Sequence, residues 1–136
     1  MSKLKTHPVP DEAAREMLRR AEAAETNVYP HGGRGYAVSV LTDKGNIYEG
    51  VSYKSDTLTL TMHCEMTALA HAAIHGEHSI IAITGPNCHM CKQLIWESAL
   101  HSGIDIQIII EESGEIKRAP ISSLMPYPWP DEEGNK

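Results

Sequence analysis

Two short polar clusters, His63-Cys64-Glu65 and Cys88-His89-Met90-Cys91, flank a compact β-branched run at Ser79 to Thr84, and each falls where a helical pattern begins. That arrangement restricts the fold more than any other feature of the chain. Met66, Leu69, Ala70, Ala73 and Ile74 recur at helical spacing until Gly76, so the spacing predicts a helix whose first turn carries His63 and Glu65. Met90 to His101 predicts a second helix, ended by Gly103, with Cys88 and Cys91 at its start. Ser79 to Thr84 and Asp105 to Ile110 read as buried strands on either side of that helix. Strand, helix and strand in that order imply a parallel pair with a right-handed crossover. Two helix N-termini must then meet near one end of the sheet.

Upstream, the run from about Glu12 to Thr26 is rich in Ala, Glu, Arg and Leu, which favours a helix with Asp11 at the N-cap position and Asn27 and Pro30 at its end. Pro30-His31-Gly32-Gly33-Arg34-Gly35 is glycine-rich, but its spacing fits neither a P-loop nor a dinucleotide fingerprint and no helix follows it. It reads as an ordinary loop. Tyr36 to Leu41 and Asn46 to Ser52 read as two strands joined by a hairpin turn at Thr42-Asp43-Lys44-Gly45. A short fifth strand is expected at Glu115 to Arg118, after Ser113-Gly114, and one helical turn at Ile121 to Met125. Residues 1–10 and 131–136 are expected to be loose ends of a single domain spanning 1–136.

A chain of 136 residues buries roughly two-thirds of its unfolded surface, enough for a core without disulfide staples. Phe is absent, so Leu, Ile, Val, Ala and Met must fill that core. A formal net charge of −6 and a pI near 5.7 argue against a protein that neutralises phosphates on long nucleic acids, and favour a small-molecule partner. The longest apolar stretches fall short of the ~20 residues a bilayer requires, and no signal-peptide core follows the Lys-containing N-terminus. The expectation is a cytoplasmic protein that engages no membrane. All three cysteines, Cys64, Cys88 and Cys91, lie in the two clusters, so they read as retained for chemistry rather than for cross-linking.

The residue types in the clusters suit zinc. A histidine and two cysteines at i and i+3 supply three borderline or soft ligands, and Glu65 adds a carboxylate that is not itself a ligand, so a fourth position stays open for water. Zinc lowers the pKa of such a water toward about 7, and helix N-termini favour thiolate over thiol. Two other readings compete. A structural zinc closed by Cys64 or His89 would leave Glu65 idle, and thiol exchange at the Cys-x-x-Cys would leave His63 and Glu65 unexplained.

With these clusters the chain resembles the cytidine deaminase family, in the small-subunit branch that includes blasticidin-S deaminase. The family's segment from the hairpin's glycine to the first ligand matches Gly50 through His63 in length, without insertion. Its second motif, usually Pro-Cys-Gly-x-Cys-Arg-Gln, stands here as Asn87-Cys88-His89-Met90-Cys91-Lys92-Gln93. Leu124-Met125-Pro126-Tyr127-Pro128-Trp129 is similar to the family's Leu-Leu-Pro and following aromatic, and the resemblance spans about residues 12 to 129. It implies a three-layer α/β/α fold with a mixed five-stranded sheet, assembled as a homotetramer or homodimer. It implies zinc held by His63, Cys88 and Cys91, with Glu65 as general acid and base in hydrolytic deamination of a cytosine-containing small molecule. Pyrimidine nucleosides, modified nucleosides and nucleoside antibiotics all fit. A deaminase of a free base or other non-nucleoside amidine, and a noncatalytic zinc-stabilised binding module, are the competing classes.

Charge supports His63 as the first ligand. Relatives with three cysteine ligands place an Arg after the glutamate to compensate the anionic site, whereas Met66 follows Glu65 here, and Cys64 is one position too close to Glu65 to match the family's spacing. Where the family's nucleoside-binding strand reads Gly-x-Asn-Val-Glu-Asn, this chain reads Gly50-Val51-Ser52-Tyr53-Lys54-Ser55. Ser52 keeps a hydroxyl, but Lys54 reverses the charge where an acceptor for a ribose hydroxyl is expected. That lysine either meets a carboxylate or phosphate on the substrate or points into solvent. By resemblance Tyr36 lines the base pocket, Trp129 reaches a neighbouring subunit's site and Gln93 steadies the zinc environment. Without the resemblance, those three read as a core strand residue, surface packing among prolines and a helix-surface glutamine. Cys64 joins the candidate substrate contacts. His71 and His75, at i and i+4, lie opposite the expected apolar face and read as a solvated surface rather than a second metal site.

Overall fold

The computed structural model describes residues 3–133. Its elements run α1 (Asp11–Ala24), β1 (Ala37–Thr42), β2 (Ile47–Val51), α2 (Cys64–Ile74), β3 (Ile80–Thr84), α3 (His89–Ser102), β4 (Gln107–Glu112) and β5 (Glu115–Pro120). Single 3-10 turns at Glu25–Asn27 and Ile121–Leu124 complete them. The strands form one sheet in the order β2-β1-β3-β4-β5, parallel between β3 and β4 and antiparallel elsewhere. This is the mixed five-stranded sheet expected from the sequence, with the helix between β3 and β4 making the crossover.

Alternation along β2 shows what covers each face. Glu49 reaches Arg20 of α1 at 2.8 Å, while its neighbour Gly50 lies against α2. Successive strand residues point to opposite faces, so α1 and α2 sandwich the sheet. The fully buried β3, Ile80–Thr84, is covered on both sides, as its near-continuous apolar run requires. Met17 from α1 and Ile95 and Trp96 from α3 complete a core that needs no phenylalanine.

Several local expectations change. Asp11 is not the N-cap of α1. Pro10 holds that position with extended backbone and no side-chain cap, and the Asp11 carboxylate, already inside the helix, pairs with Arg118 at 2.6 Å. Residues 3–10 are not a loose lead-in: Lys5 bridges Ile104, Gln107 Nε2 donates to the His7 carbonyl at 2.7 Å, and Val9 is buried. At the other end the Glu132 and Glu133 carboxylates accept from Lys3, while positions 134–136 of the expected loose tail lie outside the described residues.

The buried face of α2 is also rotated from expectation. Cys64, Glu65, Ala68 and Ala72 are buried, whereas Ala70, Ala73 and Ile74 face outward, Ile74 being 82% exposed. The helix is apolar on most sides, so periodicity phases it poorly, and the small Ala68 and Ala72 permit the closest approach to the sheet. His71 accordingly lies inward enough for its Nδ1 to sit 2.8 Å from the Glu49 carbonyl, and both His71 and His75 rings pack on Tyr48. No helix among the described residues is long and apolar enough to cross a membrane.

Candidate active site

The first turn of α2 is seated on β2 by the absence of a side chain. A Cβ on Gly50 would stand 2.2 Å from the Cys64 carbonyl oxygen and 2.3 Å from the Ala68 nitrogen, so only glycine allows this approach. Thr67 Oγ1 then ties the helix to the Val51 carbonyl at 2.8 Å. With the turn fixed, His63 takes the N-cap position in extended backbone and Glu65 points inward, only 5% exposed.

The second half of the site comes from the start of α3. Cys88 is its N-cap, and its sulfur accepts from the Cys91 backbone N–H at 3.4 Å. The helix therefore presents its positive end to the sulfur. Cys88 Sγ and Cys91 Sγ lie 3.5 Å and 3.3 Å from His63 Nδ1. Tetrahedral zinc, with bonds of about 2.3 Å to sulfur and about 2.0–2.1 Å to nitrogen, needs such donors about 3.6 Å apart. The residues fit the ion. Among the described residues these three side chains form the one metal-capable group found, their donor atoms all within 4.8 Å of one another.

Glu65 is held beside that group without belonging to it. Its Oε2 accepts from Asn87 Nδ2 at 2.8 Å, and its Oε1 accepts from the Cys64 thiol at 3.2 Å. Burial, reinforced by the Glu65 charge and that hydrogen bond, pushes the Cys64 thiol far up. It donates to Glu65 and lies outside the three-donor group. His89 is exposed and outside the group, so neither residue closes the site.

A cavity of 570 Å³, large enough for a nucleoside-sized molecule, opens onto these residues. His63, Cys64, Glu65 and Cys88 line it together with Tyr36, Ser52 and Lys54. The sequence thus named half of its wall. Tyr36 is 79% exposed, a rim residue rather than a core one. Ser52 Oγ accepts from the Tyr36 N–H at 2.7 Å and donates to the Tyr36 carbonyl at 2.9 Å, so its proton is committed to the strand and it faces a ligand only as an acceptor. Tyr53 stacks on Tyr29, and the Lys54 backbone N–H bonds the Tyr29 carbonyl at 3.0 Å, which fixes the segment carrying Lys54. Among the described residues the Lys54 side chain makes no ion pair.

Trp129 is 63% exposed and does not line its own chain's cavity, as a residue directed to a neighbouring subunit would not; the tail is anchored by Trp96 Nε1 on the Pro130 carbonyl, at 2.7 Å. Gln93 spends its amide on Glu97 and on the Trp129 carbonyl rather than on the ligands. The helical register turns it toward the tail.

Residues 11–104 match the family model described as the cytidine and deoxycytidylate deaminase zinc-binding region. The chain belongs to this deaminase family. Among solved structures, the fold of this deaminase family member is similar to the cytidine deaminase of Burkholderia pseudomallei, with a TM-score of 0.71 and 19% identity over 85% of this chain and 98% of that one. It is also similar to the cytidine deaminase of Mycobacterium leprae, with a TM-score of 0.67 and 20% identity over 82% and 96%. The enzyme from Mycobacterium tuberculosis gives 0.66 and 17% over 90% and 98%. Among curated proteins none matches.

The sequence did not single out Asn87 except as a departure from the family motif, and it missed Gly50 as a packing site. A polar residue next to a ligand cysteine, replacing proline, was the available signal for the first; none existed for the second. Metal binding in the family member also carries a proton. Burial and the nearby Glu65 charge push the Cys91 thiol well up, so the metal-free site holds that proton and zinc must displace it. Affinity therefore falls as pH falls. Zinc titration of the metal-free protein in weakly buffered indicator solution is expected to release at least one proton per ion, with apparent affinity rising about tenfold per pH unit for each proton released. A pH-independent affinity would contradict thiolate ligation.

Proposed function

We propose that the protein is a zinc-dependent deaminase that hydrolyses the exocyclic amino group of a cytosine-type ring on a small molecule and releases ammonia. One observation carries this reading: a buried, hydrogen-bonded carboxylate beside an open three-donor metal group, with Glu65, His63 and Cys88 on the wall of a single cavity. Zinc held by His63, Cys88 and Cys91 would lower the pKa of water toward about 7. Glu65 would take one proton from the water and deliver it to the ring nitrogen as oxygen adds to the amino-bearing carbon, then take that oxygen's second proton and pass it to the departing amine, so ammonia leaves and a carbonyl remains. Cys64 assists by its bond to Glu65, and its neutral thiol can also touch the ring. The three-donor group with no fourth side chain among the described residues supports catalysis over a structural metal, whose site would be closed.

Tyr36, Ser52 and Lys54 are the proposed substrate contacts. Lys54 is the residue that sets preference, since it brings an unpaired cation to the cavity wall and selects substrates carrying a carboxylate or phosphate. A homotetramer is part of the proposal, with the exposed Trp129 available to a neighbouring copy's cavity. The test is ammonia release by the zinc-loaded protein across cytosine, cytidine, cytidine monophosphate, modified cytidines and nucleoside antibiotics that contain cytosine. Turnover of at least one compound is expected, and zinc retention without any turnover would favour the noncatalytic binding module. Lys54→Glu should lower kcat/KM for anionic substrates by about 10–100-fold, the loss of one charge-assisted hydrogen bond, and raise it for nucleosides with free ribose hydroxyls. An unchanged ratio between the two would remove Lys54 from the site.

A further inference from the structure

Asn87 sits in the turn between β3 and α3, one residue before Cys88, and is 7% exposed. Its Nδ2 donates to Glu65 Oε2 at 2.8 Å and to the Thr84 carbonyl at 3.1 Å, so both amide hydrogens are used. Its Oδ1 is buried without a hydrogen-bond partner among the described residues. An orphaned buried acceptor destabilises a fold, and an apolar side chain of the same size would avoid it. Turning the amide over offers no relief, because oxygen would then face both the Glu65 carboxylate and the Thr84 carbonyl. The backbone is cleared for this side chain as well: a Cβ on Gly85 would lie 2.9 Å from Oδ1 and 2.5 Å from Ile108 Cγ2. With the Cys64 thiol on Oε1, each oxygen of Glu65 has one donor, and the two donors come from different elements.

We propose that Asn87 is a positioning residue that holds the Glu65 carboxylate in a single orientation through Nδ2 to Oε2, with the unpartnered Oδ1 as the consequence of that task. Because both amide hydrogens are engaged while the Cys64 S–H is free to rotate off Oε1, Oε2 stays an acceptor and the proton in transit rides on Oε1. Proton transfer depends on the carboxylate's placement to within a fraction of an ångström, and a misplacement near 1 Å lowers rates about 10²-fold. The catalytic consequence rests on the deamination proposed above; the hydrogen bond itself does not.

The experiment has two arms on zinc-loaded protein. Asn87→Leu, close to the native side chain in size, is expected to keep its zinc; relief of the orphaned acceptor is set against the donor lost by Glu65 Oε2 and the Thr84 carbonyl, so the kinetic constants and not the melting temperature are the readout. Its kcat should fall about 10–100-fold while KM moves less than about threefold, and no further loss should occur when it is combined with Glu65→Gln. A purely structural residue would add its loss in the double variant. In the second arm, the Asn87 side-chain amide is followed by 15N NMR in wild type and in Glu65→Ala, which needs neither substrate nor turnover. A slowly exchanging amide that shifts and loses protection in Glu65→Ala supports the proposal, and one indifferent to Glu65 overturns it. A kcat for Asn87→Leu within about twofold of wild type also overturns it. If wild type turns over nothing, deamination is refuted while the amide signal still decides the Asn87–Glu65 bond.

Discussion

Glu65→Gln is expected to bind zinc as wild type does and to lose deamination by about 10²–10⁴-fold, the range for removal of a positioned general acid and base. The two halves of that result have separate causes. Zinc is retained because the metal-capable group is His63, Cys88 and Cys91, and Glu65 does not belong to it. The fold is retained because glutamine has the same shape, and its amide oxygen can still accept from Asn87 or from the Cys64 thiol, the donors that now hold the carboxylate. Stability is expected to hold or rise, since the substitution removes a charge from a side chain only 5% exposed. Turnover is lost because an amide cannot carry a proton from water to ring nitrogen and then to the leaving amine. Metal content, melting temperature and ammonia release on one preparation separate these effects. Activity within tenfold of wild type would exclude Glu65 as the proton carrier, and loss of zinc would make it a ligand.

The elements that carry the chemistry were legible because their signals are local. Cys88 and Cys91 show a helix N-terminus by spacing, Gly103 ends that helix in left-handed backbone, and Ser79 to Thr84 is β-branched enough to be a buried strand. The His63 assignment followed from its distance to Glu65, and the structure brings its Nδ1 to both sulfurs. What escaped the sequence depends on partners distant in the chain. Asp11 is drawn from the cap role by Arg118, more than a hundred residues on. The buried face of α2 was phased by its large apolar residues, but the sheet selected its small ones, Ala68 and Ala72. Gln93 was given a role at the site by resemblance alone, and its amide is bonded instead to Glu97 and to the Trp129 carbonyl. Lys54 was visible as a reversed charge, yet its access to the cavity depends on a loop pinned by the Tyr29–Tyr53 stack, which no short-range pattern contains.

Gly50→Ala is expected to destabilise the protein by about 3 kcal/mol, the upper part of the usual range for overpacking, and to damage the metal site at the same time. The added methyl would meet the Cys64 carbonyl oxygen at 2.2 Å, the Ala68 nitrogen at 2.3 Å and the Ala68 Cα at 2.6 Å. All three are backbone atoms, so no rotamer change relieves the contact and the first turn of α2 must move off β2 by about 1 Å. That turn carries His63 and Glu65 while Cys88 and Cys91 stay with α3, so the displacement separates His63 and Glu65 from the two cysteines. Lower zinc affinity and a kcat reduced about 10²-fold should accompany the lost stability. Gly45→Ala is the control: Gly45 has φ +84 and open space around its Cβ position, so alanine there suffers backbone strain alone, about 1–2 kcal/mol, and should leave zinc untouched. Denaturant midpoints and zinc content of the two variants decide the point. Equal destabilisation with intact zinc in both would mean that α2 is not seated on β2 through Gly50. A larger loss in Gly50→Ala, with metal released, would tie the hairpin to the chemistry, because the strand that presents Ser52 also sets the position of the acid.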